Sequence, residues 1–319
     1  MTYEVTEDIA VTKEIGKVKL NYRDYPGSDL YSDGSVEDEL LSIVQNHSEQ
    51  EYSSIIRERS SWPVLYHLSH VRQNIIEWLP FQKTDSVLEV GCGCGAVTGC
   101  LANKAGKVTC IELSEKRSLV NAYRNKHREN IEILLGNFET VEGHLKDTYD
   151  YITLIGVLEY GALYISGEKP YENFLKICKK HLKPGGKLVI AIENKLGMKY
   201  WAGCREDHNG MFFEGIEGYP NTNGAQTFSK LELEEMLRQA GLTDMVFYYP
   251  YPDYKLPLAI YSDDYLPNPA DLYKNVLNFD MDRLQLFDEA KAFASVLKAG
   301  AFPVFSNSYL IIAGSEEEK

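Results

Sequence analysis

The chain has 319 residues, of which 44% are hydrophobic and 25% are charged, and its 33 Lys and Arg stand against 47 Asp and Glu for a net charge of −14. This composition is typical of a globular protein with one large domain, and the acidic balance argues against a tRNA, rRNA or DNA substrate because phosphate contacts need a basic surface. No apolar run approaches the ~20 residues that span a bilayer, and the N-terminus lacks a basic-then-apolar signal pattern, so we expect a cytoplasmic protein without membrane insertion.

The first 70 residues are predicted to cover the domain that follows. A short strand is indicated near residues 17–20, and a helix over 36–44 begins with three acidic residues, which suits the helix dipole. Residues 52–79 look helical in two pieces divided near Pro63, since proline ends a helix or opens the next one. We therefore assign 1–70 as an N-terminal, mainly helical cover segment.

The next pattern is a β-branched apolar run that leads into Gly91, Gly93 and Gly95 and then into a helix start. A strand, a glycine turn and a helix N-terminus together are typical of an adenosine-cofactor site at the carboxyl end of a parallel sheet. Glycine is needed there because a Cβ would keep the ligand from the backbone N–H groups. The spacing Gly91-x-Gly93-x-x-Ala96 by itself also fits the dinucleotide fingerprint.

Glu89 separates the two cofactor classes. A dinucleotide lays its pyrophosphate on this turn, where a carboxylate two residues before the first glycine is unfavourable. S-adenosylmethionine (SAM) has no phosphate and carries positive charge on its sulfonium and amino groups. The pattern Glu89-x-Gly91-x-Gly93-x-Gly95 resembles the first motif of class I SAM-dependent methyltransferases.

Two following strands carry further candidate cofactor residues. Glu112 ends the strand 107–112, 21 residues after Gly91, where the fingerprint places a carboxylate that binds the ribose hydroxyls, and Leu113 adjoins it. After the strand 131–135, the resemblance implies an acid that reads the adenine. Asn137 stands in that place, and Phe138 either covers the adenine ring or belongs to the core.

The resemblance implies three more roles near the cofactor. Arg72, in the segment before the first strand, is a candidate partner of the methionine carboxylate, although it also fits an ordinary surface arginine. The loop after the strand at 149–155 lies beside the transferable methyl in the family, so Gly156 allows close approach and Glu159 or Tyr160 faces substrate. Residues 171–192 read as a helix, a Lys-Pro-Gly-Gly segment and a strand, and this order is a second resemblance to the class I family.

These elements predict an α/β fold, a Rossmann-like doubly wound seven-stranded sheet. Its last two strands, near 245–249 and 308–313, are separated by roughly 55 residues instead of the 2–5 of a hairpin loop. The predicted domains are the cover (1–70), a SAM-binding core (71–249), an inserted lid or substrate segment (250–306), and the last strand with an acidic, solvated tail (307–319).

The loop 193–210 follows the fifth strand and carries the candidate catalytic groups. His208 is the candidate general base because its ordinary pKa lies near neutrality, with Glu206 or Asp207 to orient it. Glu193 and Asn194 are candidates for binding substrate hydroxyls, and capping of the loop is the alternative role for both. A structural or simply exposed histidine is the alternative. The loop resembles methyltransferases found with glycosyltransferases of bacterial surface-polysaccharide biosynthesis, through Ile192-Glu193-Asn194-x-Leu196-Gly197-x-Lys199-Tyr200 and Glu206-Asp207-His208.

The resulting hypothesis is a SAM-dependent methyltransferase that O-methylates a sugar or glycan precursor and releases S-adenosylhomocysteine, in possible association with glycosyltransferases. Methylation of a small natural product or a peptide, and a non-catalytic SAM-binding partner module, are the alternatives. The six cysteines form no paired Cys-x-x-Cys framework, so we expect reduced thiols and no metal.

Overall fold

The computed structural model describes residues 12–29, 31–32, 34–272, 275–278 and 281–315. The acidic tail predicted at 316–318 lies outside the described residues, as does the start of the N-terminal segment. Within the described part of the chain, no helix combines the length and the apolar character needed to cross a membrane.

The described residues form one mixed sheet in the order β1-β2-β5-β4-β3-β6-β7-β10-β8-β9. The strands are β1 (Thr12–Ile15), β2 (Val18–Asn21), β3 (Ser86–Val90), β4 (Lys107–Glu112), β5 (Ile131–Leu135), β6 (Tyr149–Ile155), β7 (Leu182–Glu193), β8 (Asp244–Tyr251), β9 (Ala259–Ser262) and β10 (Ser308–Gly314). Strands β5, β4, β3, β6 and β7 are parallel, and β10 runs antiparallel between β7 and β8.

The prediction of seven strands is therefore wrong, because this sheet has ten in the described residues. The seven predicted strands form its central part. The β1–β2 hairpin adds to one edge through parallel pairing of β2 with β5, and β9 adds to the other through antiparallel pairing with β8. An edge strand has unpaired backbone groups that accept such additions. The inserted segment thus contributes a strand to the sheet.

Helices cover both faces of the sheet, as expected where parallel strands are buried on both sides. They are α1 (Val36–Asn46), α2 (Tyr52–Arg59), α3 (Trp62–Leu68), α4 (Thr98–Lys104), α5 (Glu115–Arg124), α6 (Phe138–Glu142), α7 (Gly161–Tyr164), α8 (Pro170–Lys180), α9 (Met198–Trp201), α10 (Lys230–Gln239), α11 (Glu289–Lys298) and α12 (Phe302–Phe305). Short 3₁₀ helices lie at Glu49–Glu51, His70–Ile75, Leu158–Tyr160 and Pro269–Asp271.

The strand order reverses between β3 and β6, which continue to opposite sides of the sheet. In open α/β sheets the crevice at the carboxyl ends of such strands is where ligands bind. The glycine turn follows β3, Glu112 ends β4, and Gly156 follows β6, so the sheet places these three features around one crevice.

The helices of the N-terminal cover pack against α5, whereas its β1–β2 hairpin joins the sheet. Leu40, Ile43, Val64 and Leu68 form a buried cluster with Val120 of α5. The predicted break near Pro63 corresponds to the start of α3, which has this proline in its first turn and Ser61 as its N-cap. The apolar faces of α1 and α3 are thereby buried next to the crevice.

Candidate active site

All three glycines of the turn after β3 have positive φ, at 68° for Gly91, 52° for Gly93 and 75° for Gly95. L-residues with a side chain rarely adopt this conformation, so the turn requires glycine. A Cβ at Gly91 would lie 2.6 Å from Val157 Cγ2, whereas a Cβ at Gly93 would meet only the guanidinium of Arg117, at 3.9 Å, within 4 Å. The turn therefore leaves open space beside Gly93, which fits a ligand held against the backbone.

The two acidic residues around the turn are both buried. Glu112 accepts hydrogen bonds from the backbone N–H of Gly93 at 2.7 Å and of Ser114 at 3.1 Å, so it ties the end of β4 to the glycine turn. Glu89 accepts a hydrogen bond from Thr98 Oγ1 at 2.7 Å, and burial raises its pKa to about 7. Glu89 therefore connects the end of β3 to the start of α4 and lines a cavity together with Gly91 and Gly93.

The predicted adenine residues lie on a cavity of about 70 Å³, which is also lined by Leu113. Asn137 caps α6 by accepting a hydrogen bond from the backbone N–H of Glu139, and its Nδ2 donates to the carbonyl of Tyr164 at 3.1 Å. Phe138 is buried and packs on Phe174 with ring centroids 5.2 Å apart. Asn137 thus has a local structural role and keeps a second N–H on Nδ2.

Arg72 lies in a 3₁₀ helix and is only 4% exposed, so it is not a surface residue. Its Nη1 donates to the carbonyl of Lys255 at 2.9 Å, and its guanidinium lies over the ring of Tyr66 at 4.3 Å. Its Nε has no hydrogen-bond partner among the described residues. Arg72 lines a cavity together with Gly91 and Gly93, where this Nε can face a ligand carboxylate.

A larger cavity of about 510 Å³ joins the cofactor side to the predicted catalytic residues. Gly91, Glu112 and Gly156 line one part, and Glu159 and His208 line the other. Its volume falls within the range of small-molecule sites. The positive φ of Gly156, 71°, lets the chain pass close to Tyr254, whose hydroxyl would lie 2.7 Å from a Cβ there.

Glu159 and His208 line this cavity, and the buried Glu193 lies next to both, since one carboxylate or ring atom of each residue lies within 4.8 Å of the others. The His208 Nε2 lies 3.6 Å from Glu193 Oε2, and its Nδ1 lies 3.3 Å from the hydroxyl of Tyr160, which lines the cavity. Glu159 and Glu193 are 1% and 0% exposed. The carboxylate that orients His208 is therefore Glu193, at the end of β7, and not Glu206 or Asp207 as the sequence suggested.

Glu206 and Asp207 have other roles in the same loop. Glu206 accepts hydrogen bonds from the backbone N–H of His208 at 2.8 Å and of Asn209 at 2.9 Å, and so fixes the backbone conformation of the loop. Asp207 forms ion pairs with Lys255 at 2.6 Å and Lys199 at 3.0 Å. Both residues hold the segment that carries His208.

The charges in the cluster shift its pKa values in different directions. Burial, reinforced by the charge of Glu193, raises the pKa of Glu159 to about 8. Burial would raise the pKa of Glu193, but Lys255 and His208 outweigh it and hold that pKa well below its usual range. Burial would lower the pKa of His208, yet the facing carboxylates, chiefly Glu193, raise it to about 9. Such displaced values in a cavity are typical of acid–base sites.

The same three residues place one ligand atom each within 4.8 Å of one another, close enough to hold a metal ion. However, the ammonium group of Lys255 is already paired with Glu193. It would repel a divalent cation bound next to it. We therefore interpret the cluster as a site for proton transfer.

Sequence reasoning missed Lys255 and the residues of the cavity wall. Lys255 belongs to the insertion, more than 40 residues from the loop it contacts, so no local pattern links the two. Half of the missed wall residues are tyrosine or tryptophan, and the others are two valines, one arginine, one histidine and one proline. These lining residues are Tyr31, Val36, Trp62, Pro63, Tyr66, His67, Arg117, Val157, Tyr164 and Tyr254.

Residues 88–188 match the family described as Methyltransferase domain. The chain is 31% identical over 134 residues to the ubiquinone biosynthesis O-methyltransferase of Coxiella burnetii, covering 41% of this chain and 53% of that protein. It is 27% identical over 143 residues to the protein of that name from Idiomarina loihiensis, and this match covers 43% of this chain and 54% of that protein. The chain thus spans about half the length of the curated relatives it matches.

A solved SAM-dependent methyltransferase from Archaeoglobus fulgidus superposes with a TM-score of 0.48 and 14% identity, covering 77% of this chain and 94% of that one. The family match spans the glycine turn, Glu112 and the loop after β6, which are the elements around the crevice. Residues 88–188 are therefore similar to the Methyltransferase domain family in the part of the chain that surrounds the crevice.

Proposed function

We propose that the protein is a SAM-dependent O-methyltransferase that acts on a hydroxyl group of a small molecule. The observation that carries this proposal is the shared cavity, which Glu159 and His208 line together with Gly91 of the glycine turn and Gly156. When bound, SAM supplies a methyl group on a sulfonium that is open to in-line displacement. The chain itself has to hold the acceptor and remove its proton.

His208 is the proposed base. Its Nε2 faces Glu193, which stabilises the imidazolium. Its Nδ1 contacts the hydroxyl of Tyr160, and an acceptor hydroxyl that takes the place of this contact can donate its proton to Nδ1. Glu159 has one carboxyl oxygen without a hydrogen-bond partner among the described residues. With its raised pKa, Glu159 is largely protonated at pH 7 and can both donate to and accept from an acceptor hydroxyl.

The cofactor residues are proposed on the same basis. Glu112 binds the ribose hydroxyls, Arg72 binds the methionine carboxylate, and Gly91, Gly93 and Gly95 let the ligand approach the backbone. The wall residues Leu113, Asn137 and Phe138 receive the adenine. This assignment is supported by their positions on connected cavities around the carboxyl ends of β3, β4 and β5.

A sugar or glycan hydroxyl is the first acceptor class that we propose. The tyrosines of the wall can stack on sugar rings, and Glu159 can bind ring hydroxyls. A phenol is the second class, supported by the same aromatic wall and by the relatives named ubiquinone biosynthesis O-methyltransferases. Association with glycosyltransferases and a cytoplasmic location are parts of the sugar proposal.

The domain division is also proposed here. Residues 1–70 form the cover, 71–249 the SAM-binding core, 250–306 an inserted segment that closes the acceptor site, and 307–319 the last strand and tail. Tyr254 and Lys255 support the role of the insertion because both line the large cavity. Trp62 and Tyr66 support the role of the cover in the same way.

The test is turnover with paired acceptors. The protein is incubated with SAM and either nucleotide sugars or simple phenols. Mass spectrometry of the products then detects a gain of about 14 Da per methyl group, the mass of one CH₂ added. We expect His208→Gln to lower kcat/KM by about 10²–10⁴-fold while the affinity for SAM persists. Binding of SAM without product from any hydroxyl acceptor would favour the non-catalytic module instead.

The pH dependence follows from the raised pKa of His208. A base must be unprotonated to act, so kcat/KM should rise with pH, about tenfold per unit, and level off near pH 9. A profile that is flat from pH 6 to 9 would contradict His208 as the base. Lys195→Met is the control, since Lys195 pairs with Glu232 away from the cluster and should leave the profile unchanged.

A further inference from the structure

A chain of alternating charges connects the insertion to His208. The ammonium group of Lys255 contacts Oε1 of Glu193 and lies 2.6 Å from Oδ1 of Asp207. Lys199 in turn lies 3.0 Å from Asp207 and 2.6 Å from Oδ2 of Asp253. These side chains are at most 18% exposed, so solvent screens the charges weakly.

The backbone of Lys255 is held as firmly as its side chain. Its carbonyl accepts the hydrogen bond from Arg72 Nη1 at 2.9 Å, and its N–H donates to Oδ1 of Asp253 at 3.0 Å. The preceding residue, Tyr254, is 1% exposed and packs beside Gly156. The ammonium group is therefore placed by fixed neighbours on both the cofactor side and the insertion.

Glu193 lies between two cations, Lys255 at one oxygen and His208 at the other. Without Lys255, the negative charge of Glu193 would act on the imidazole alone. The imidazolium of His208 would then retain its proton more strongly. A carboxylate without the lysine would also be free to rotate away from the imidazole. The lysine thus affects both the position and the strength of the Glu193–His208 contact.

We propose that Lys255 is a positioning residue of the proton-transfer site: it fixes the carboxylate of Glu193 against His208 and limits how firmly that carboxylate retains the imidazole proton. The proposal rests on the proposed function in taking His208 as the base. The other groups that face His208 are Glu159 and Tyr160 after β6 and Glu206 of its own loop, and Asp207 adjoins it in the chain.

The experiment is an NMR titration of the histidine ring signals between pH 6 and 10.5 in wild-type protein and in Lys255→Met. The signal of His208 is assigned among the seven histidines by its loss in His208→Gln. We expect the titration midpoint of His208 to rise by about one pH unit or more in Lys255→Met, because a cation is removed beside the cluster. Lys255→Arg keeps the charge and should restore a midpoint close to the wild-type value.

The direction of the shift separates this role from a merely structural one. If Lys255 only held the loop in place, its loss would expose His208 to water, and the midpoint would fall toward the ordinary value of about 6.5. A fall, or an unchanged midpoint, would overturn the proposal. Lys195→Met serves as the matched control, since it removes a lysine from the loop that carries His208, and this lysine pairs with Glu232 instead of Glu193.

Lys255→Gln is the second variant if the methionine variant does not fold. Its amide keeps hydrogen-bond donors for Glu193 and Asp207 but carries no charge, so the midpoint should rise in the same direction. The titration uses no acceptor and needs no turnover. The role of Lys255 and the proposed methyl transfer can therefore fail separately.

Discussion

At the scale of single residues, Gly93 and Gly91 serve the same turn for different reasons. Gly91 is closely approached by Val157, so a side chain there would clash inside the protein. Gly93 has positive φ but no close neighbour, so a side chain there would point into open space on the cavity with Arg72 and Glu89. The space beside Gly93 is therefore kept for a ligand rather than for packing.

Gly93→Val is expected to weaken SAM binding by about tenfold or more, because the side chain fills this space and the backbone is strained. Calorimetric titration with SAM measures the affinity of the variant and of the wild-type protein. Gly300→Val is the control, since Gly300 has a similar φ of 67° and nothing within 4 Å of its Cβ position, but lies between α11 and α12. Equal affinity of the two variants for SAM would contradict the proposal that SAM binds at this turn.

At the scale of elements, the end of β7 is joined to the segment before β10 by one buried side chain. Asn194 is 0% exposed, and its Nδ2 donates to the carbonyls of Val304 at 2.8 Å and Ser306 at 2.7 Å. Its Oδ1 accepts from the backbone N–H of Leu196 at 3.0 Å. Of the two roles that the sequence leaves open for Asn194, substrate binding and loop capping, the contacts favour loop capping.

Asn194→Ala should lower the free energy of unfolding by about 2 kcal/mol, because it leaves two carbonyls and one N–H, in one buried and two partly buried contacts, without their partner. Urea denaturation followed by circular dichroism measures this difference. Asn46→Ala removes an exposed hydrogen bond to the carbonyl of Ser42 and should change the stability by less than about 0.5 kcal/mol. Similar losses in the two variants would contradict a role for Asn194 in joining β7 to β10.

At the scale of the whole molecule, the cover and the core are one packed unit in the described residues. Leu40 of α1 is 0% exposed among side chains of α3 and α5, and Arg117 of α5 pairs with Glu37 of α1 at 2.9 Å. The cover also supplies Trp62 and Tyr66 to the cavity wall. We infer that the cover and the SAM-binding core unfold together.

Leu40→Ala is expected to shift a single unfolding transition of the whole chain by about 2–5 kcal/mol, as for other fully buried leucines. Leu41→Ala, at a partly buried position on the same helix, should cost less. Fluorescence of Trp62 reports on the cover in a background in which Trp78 and Trp201 of the core are replaced by Phe, and far-ultraviolet circular dichroism reports on the secondary structure of the whole chain. Two separate transitions, with only the first one shifted, would show that the cover folds independently.

The sequence by itself determined the local elements around the proposed cofactor site. The strand, glycine turn, helix and acidic strand end lie within about 25 residues of one another, and short-range φ preferences and hydrophobic patterning are sufficient to predict them. The parallel order of the central strands follows from the alternation of strands and helices. Of the additional edge strands, β2 corresponds to the short strand indicated near residues 17–20, whereas β1 and β9 were missed because they have four residues each and little periodicity.

Only the tertiary structure decided the catalytic half. Glu159, Glu193 and His208 come from two different strand ends and a loop, and Lys255 comes from the insertion. Which carboxylate faces the imidazole depends on how the loop 193–210 folds back over the sheet, and no spacing in the sequence specifies that path. Burial and charge pairing, which set the pKa values in this cluster, exist only once these distant segments have packed together.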